Sequence, residues 1–135
     1  MTQPATDDGI LLTLPKGLLG FPHLTSYRLF EPSDGYPLKF LQAVDQPEVS
    51  FVCMDPVGLK PDYAVPLGDS EAEMLGLQTL SEALILTLVV IPEDPRRMTT
   101  NLAGPLVVNT RTRIGLQVAL PSDRYPLKFP VFPQA

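Results

Sequence analysis

The chain has 135 residues, 44% hydrophobic and 19% charged, which suits one ordinary domain with a real core and excludes a disordered composition. One cysteine (Cys53) excludes an internal disulfide and a cysteine zinc site, and one histidine (His23) excludes a histidine-rich metal centre. Net charge is −5, with fourteen of the fifteen acids in residues 1–95 against only four bases there; this balance argues against direct, nonspecific nucleic-acid binding and permits a basic protein partner, although charge alone favours an acidic surface that simply keeps the protein soluble.

The opening "MTQPATDDG" has neither a basic n-region nor an apolar core, so no signal peptide is read. Ile10–Leu14 predicts a short strand. "LPKGLLGFPHL" follows as a tight turn punctuated by Gly17, Gly20 and Pro22. Ser26–Phe30 predicts a second strand, and "EPSDGYP" a turn. Leu38–Val44 and Val49–Asp55 predict a hairpin around "DQPE", with the Asp55-Pro56 pair opening the next turn. Tyr63–Leu67 predicts an edge strand, because Pro66 has no N–H for a ladder. Asp69 or Ser70 is placed to cap a short helix with Glu71 and Glu73 in its first turn, ending near Gly76. "TLSEA" reads as a turn or a second helical fragment.

Ala83–Ile91, "ALILTLVVI", is apolar on both faces and predicts a central strand buried on both sides. At nine residues it is too short to span a bilayer as a helix, so a soluble, cytoplasmic protein is expected. Leu106–Val108 and Ile114–Leu120 predict a further pair. In the second, Ile114, Leu116, Val118 and Leu120 alternate with Gly115, Gln117 and Ala119. The tail "YPLKFPVFPQA" is too rich in proline for a regular central strand. "YPLKF" also occurs at Tyr36–Phe40, but the flanks differ and no repeat unit is implied. The sixteen prolines, the close turn signals and the short strands predict a mainly β fold. It would be a small antiparallel, barrel-like single domain over 1–135, with one or two short helices and with 1–9 and 131–135 as loose ends.

No catalytic constellation accompanies these elements. His23 sits in the turn "GFPHLTS" with nothing around it that marks a nucleophile elbow. Cys53 lies between Val52 and Met54, a setting for a small buried hydrophobe rather than a reactive thiolate. No phosphate-binding loop occurs, and Asp69, Glu71 and Glu73 fit a capped helix start better than a cation loop. Neither cofactor nor metal is predicted.

The most patterned stretch is "TTNLAGPLVVNTRTRIGLQVAL". It resembles the FliW flagellar assembly factor family, whose Thr/Ser-x-Asn-Leu-x-x-Pro run, three hydrophobics, Asn and Gln-hydrophobic strand map onto Thr99–Asn109, Gln117 and Val118. "KGLLGFPHLTSYRL", with Gly17, Gly20 and Phe21, is similar to that family's Gly-Phe entry. "FLQAVD", "FVCMDP" and "PDYAVPL" follow in the same order, with Ala43 replacing the usual serine and Gly104 a common alanine.

The resemblance implies a non-enzymatic cytoplasmic protein. It would bind the RNA-binding regulator CsrA, antagonise its repression of flagellin translation, and exchange that partner for flagellin. Two contact surfaces are expected: an acidic one at Asp62, Tyr63, Asp69, Glu71 and Glu73, and one at the outward residues Asn109 and Gln117. Asn101, Asn109, Gly104 and Pro105 also suit a turn held by side-chain amides. The alternative is a small β-barrel ligand carrier or enzyme using a cavity within the barrel.

Overall fold

The computed structural model describes residues 9–31, 38–79 and 82–132. Nine strands and one short helix follow in order: β1 Ile10–Thr13, β2 Ser26–Phe30, β3 Leu38–Ala43, β4 Ser50–Met54, α1 Asp69–Leu75, β5 Ala83–Val90, β6 Thr99–Thr100, β7 Leu106–Asn109, β8 Gly115–Gln117 and β9 Phe129–Pro130. Every ladder is antiparallel, with strand order β1-β2-β3-β4-β5-β6-β9, and β7 and β8 branch from β5. The mainly β expectation holds. The "EPSDGYP" turn, from Pro32, part of "TLSEA" and the outermost ends lie outside the described residues.

The apolar alternation of the strands explains where the core sits. Leu12, Tyr27, Leu41, Leu86, Leu106 and Val108 point to one side and form the main core. Val107, Leu116 and Val118 point to the other side, where Val65 and Leu75 cover them. A third cluster joins Met54, Val89 and Met98. The uninterrupted apolar run of β7 follows from this: all four residues are buried, because both faces of the sheet are covered there. Leu84 and Leu86 of β5 pack into the first cluster and Ala83 and Ile85 against the second, so both faces of the strand are packed in its first half, whereas Val90 and Ile91 at the end of the predicted run are exposed. Gly115 is also buried; a Cβ there would meet Leu14 Cδ2 at 2.7 Å.

Two Asp-Pro pairs start 3-10 turns by the same device. Asp55 Oδ1 accepts from Val57 N at 2.9 Å and Asp94 Oδ1 from Arg96 N at 3.1 Å, each starting a 3-10 turn, at Pro56–Gly58 and Pro95–Arg97.

Three expectations are corrected. The sheet is not closed into a barrel: its two edges touch only at a single parallel bridge, Thr13 to Ile114, with Thr13 N donating to Arg113 O at 2.9 Å. Tyr63–Leu67 forms no strand; instead Tyr63, Val65 and Leu67 lay their apolar side chains over the outer cluster, so burial rather than ladder pairing holds the segment. The helix cap is Gly68, not Asp69 or Ser70, and Glu71 Oε1 accepts from Gly68 N at 2.8 Å. Gly76 ends the helix in the left-handed conformation, φ 68°.

Candidate partner-binding surfaces

The patterned stretch is an interrupted strand. Both β6 and β7 pair with β5, yet Val89 faces Thr100 while Leu86 faces Leu106. Between these pairs two residues of β5, Thr87 and Leu88, oppose five of the other segment, and the surplus leaves the sheet as the loop 101–105. Side-chain amides shape that loop. Asn101 Oδ1 accepts from Ala103 N at 2.8 Å, and Gln117 Nε2 donates to Gly104 O at 3.0 Å. Tyr63 OH donates to Leu102 O at 2.6 Å, with its ring edge-on to Tyr125 at 6.1 Å. Burial, and then Tyr125, push the Tyr63 hydroxyl pKa up, so it stays a donor.

Asn109 is the sharpest departure from expectation. Of its two expected roles, the outward contact fails because Asn109 is 0% exposed, and the turn-holding amide is the one that the hydrogen bonds bear out. Its Nδ2 donates to Leu75 O at 2.8 Å, at the end of α1, and its Oδ1 accepts from Arg111 N at 2.8 Å and Thr112 N at 3.2 Å. The amide therefore joins the helix end to the β7–β8 turn and offers a partner no surface. Burial of an amide demands such partners, which is why it sits where a helix carbonyl and a turn both need one. Arg113 closes that turn at φ 64°, a position its residue type did not signal.

Gln117 is half-buried and engaged at both ends: besides Gly104, its Oε1 accepts from Leu19 N at 2.8 Å. That bond ties β8 to the 16–22 turn. Gly17 (φ 63°) and Gly20 (φ 90°) shape the turn, and Phe21 anchors it by an edge-on contact with Phe51 at 5.6 Å. Between this turn and β8 lies a groove of about 540 Å³, walled by Lys16, Leu18 and Leu19 on one side and Leu116 to Leu120 on the other, with Leu127 at its side. Pro105 is buried beneath the loop. The interior of the curled sheet itself is filled by side chains, Tyr27, Leu41 and Leu86 among them.

The acidic segment forms a second surface. Asp62, Asp69 and Glu73 are exposed above the outer cluster, whereas Glu71 is half-buried by its bond to Gly68. Asp62 pairs with Lys60 at 3.0 Å, which lowers its pKa through the side-chain hydrogen bond and the lysine charge. Thus the fold brings Tyr63, Asn101 and Gln117 to the motif loop and leaves the carboxylates Asp62, Asp69 and Glu73 exposed along the 62–75 segment. Cys53 is 0% exposed, and burial pushes its thiol up to about 12, against which Lys39 acts only weakly. Among the described residues no group of three or more His, Cys, Asp or Glu is placed to hold a metal, and no helix is long and apolar enough to cross a membrane.

Comparison with known proteins agrees with this geometry. The family model described as "FliW protein" matches residues 1–131. The flagellar assembly factor FliW of Natranaerobius thermophilus is 37% identical over 123 residues, covering 90% of this chain and 82% of that protein. That of Geobacter sulfurreducens is 36% identical over 131 residues, covering 97% and 82%. A crystal structure of the flagellar assembly factor FliW superposes with a TM-score of 0.85 at 27% identity, covering 92% of this chain and 86% of that one. An acidic antiparallel fold that carries the Thr99–Asn109 stretch as an interrupted strand, this chain therefore belongs to the FliW family of flagellar assembly factors.

Proposed function

We propose that this protein is a cytoplasmic regulatory binding module. It sequesters a CsrA-type RNA-binding regulator, relieves repression of flagellin mRNA translation, and exchanges the regulator for flagellin. The observation that carries the reading is the exposed carboxylate surface of Asp62, Asp69 and Glu73 on a FliW-family fold. A regulator that grips RNA phosphates must present basic side chains, so an acidic surface attracts it and repels its RNA. Asn109 makes no part of this contact because it is buried, and Tyr63 and Gln117 serve it through the loop they hold.

The test is co-elution of the purified protein with its cognate regulator and with its cognate flagellin on size exclusion, followed by competition. Added flagellin is expected to release the regulator. The variant Asp69→Lys/Glu73→Lys is expected to weaken regulator binding at least ten-fold and to flatten its salt dependence. Glu71 is the poorer target, since reversing it also removes the Gly68 bond. Unchanged affinity in the double variant would remove the acidic-surface assignment. Failure to bind either partner would remove the function.

A further inference from the structure

The seam where the sheet does not close leaves a strand edge without a ladder partner. Past the Thr13–Ile114 bridge the groove opens along β8. Leu116 to Leu120 line it, and Asn101, Ala103 and Gly104 of the motif loop extend its floor. The Thr13–Ile114 bridge lies on the side of β8 away from β7, so the 16–20 turn that follows Thr13 walls the groove along that outer edge, while the loop floors it over the face. Hydrogen bonds give the direction of that edge. Val118 N donates to Pro105 O at 2.9 Å and Leu120 N to Ala103 O at 2.7 Å, which turns the even-numbered residues inward, toward β7 and its loop. The N–H and C=O groups of Gln117 and Ala119 consequently point the other way, into the groove. Among the described residues, β7 is the only strand laddered to β8.

The groove's walls define what would occupy that edge. Leu19 is 89% exposed and Leu127 55% exposed, so two leucines stand in water beside it. Lys16 is its only charged lining residue, and no carboxylate lines it. Beside Gly20 the space is open: a Cβ there would meet nothing within 4 Å. An occupant gains main-chain bonds from the edge, apolar burial from the leucines and charge pairing from Lys16. We infer that the seam binds an extended, apolar, carboxylate-bearing peptide segment, which adds as a strand to the outer edge of β8 and sets its acid against Lys16. This surface is distinct from the acidic 62–75 segment and opposite to it in sign, so the inference stands apart from the regulator assignment.

The test titrates the isotope-labelled full chain with an acetylated synthetic heptapeptide, Glu-Leu-Thr-Val-Thr-Leu-Glu, followed by amide chemical shifts and fluorescence anisotropy. Saturable shifts are expected at residues 16–20 and 115–120. Methylating alternate backbone nitrogens of the peptide is expected to weaken binding at least ten-fold, and replacing both acids by lysine at least three-fold. Leu19→Glu, at a position whose exposure spares the fold, is expected to lose at least ten-fold. Lys16→Glu is expected to reverse the preference for the acidic over the lysine peptide. An absence of saturable shifts at these residues, or affinity indifferent to backbone methylation, overturns the inference whatever the protein does with regulator and flagellin.

Discussion

Replacing Asn109 by alanine tests whether the patterned stretch is architecture. The amide makes a 2.8 Å bond to Leu75 O and accepts from Arg111 N and Thr112 N at 2.8 and 3.2 Å. Leu75 is buried, so its carbonyl is left without a partner, at a cost of about 1–3 kcal/mol. Arg111 and Thr112 are exposed and their amides rehydrate, so each lost bond costs only about 0.5 kcal/mol. The expected loss is roughly 2–4 kcal/mol, read as a lower urea midpoint at unchanged slope. Asn109→Asp sharpens the test. It keeps both acceptor bonds but sets a carboxylate against Leu75 O, so the folded state favours the protonated form and the carboxyl pKa rises above its unfolded value. A raised acid pKa makes the folded state hold a proton that the unfolded state has lost. The variant is therefore expected to be closest to wild type below about pH 4 and to lose stability as pH rises from there through its folded pKa. If Asn109→Ala costs less than about 0.5 kcal/mol, or weakens regulator binding while the fold is intact, the structural reading of Asn109 is refuted.

Three further outcomes are expected. Tyr27 is fully buried with its hydroxyl lacking a hydrogen-bond partner, so Tyr27→Phe is expected to raise stability by about 1 kcal/mol; a loss in thermal or urea unfolding would show that the hydroxyl is satisfied. Gly115→Ala drives a methyl toward Leu14 Cδ2 at 2.7 Å and Val108 Cγ2 at 3.1 Å and is expected to cost about 1–3 kcal/mol, with an unaltered unfolding midpoint as the contrary result. Cys53 titrates near 12 when folded and near its ordinary value when unfolded, so the unfolded state loses the thiol proton first and stability falls by about 1.4 kcal/mol per pH unit between these values. Cys53→Ala is expected to remove that part of the alkaline slope, and the native thiol to resist a disulfide reagent at pH 8; rapid labelling without unfolding would contradict its burial.

Strand existence was legible because period-two burial writes itself into the residues: Ser26–Phe30 has the predicted bounds, and β3, β4 and β5 agree to within a residue at either end. The loss of Tyr63–Leu67 as a strand has a physical reason. Tyr, Val and Leu at alternate positions satisfy a ladder and a lid over an apolar cluster equally well, and only the position of Val107, Leu116 and Val118 decides between them. The interruption at 101–105 was legible as a turn from Asn101, Gly104 and Pro105. That β6 and β7 share β5 was not, because pairing partners far apart in sequence leave no local mark. The amide cap at Asn109 was legible, but its burial was not, for a similar reason. A polar residue ending an apolar strand reads as outward, and the Leu75 carbonyl that draws it inward lies 34 residues away.

The position of β8 links the two surfaces. Its outward face, through Leu116 and with Val118 just beyond its end, packs on Leu75 of the helix that carries Asp69 and Glu73. Its free edge lines the groove, and its Gln117 joins the motif loop to the 16–22 turn. A three-residue strand in a close-packed setting has little room to move independently of what it touches. Acidic segment, loop and groove thus share one element. The proposed exchange of regulator for flagellin requires a second partner to release the first, which it does only if the two bound states differ in free energy for each of them. The diagnostic stretch supplies no contact of its own through Asn109. Its part is to fix β7 between β5 and β8, and so to set where both surfaces stand.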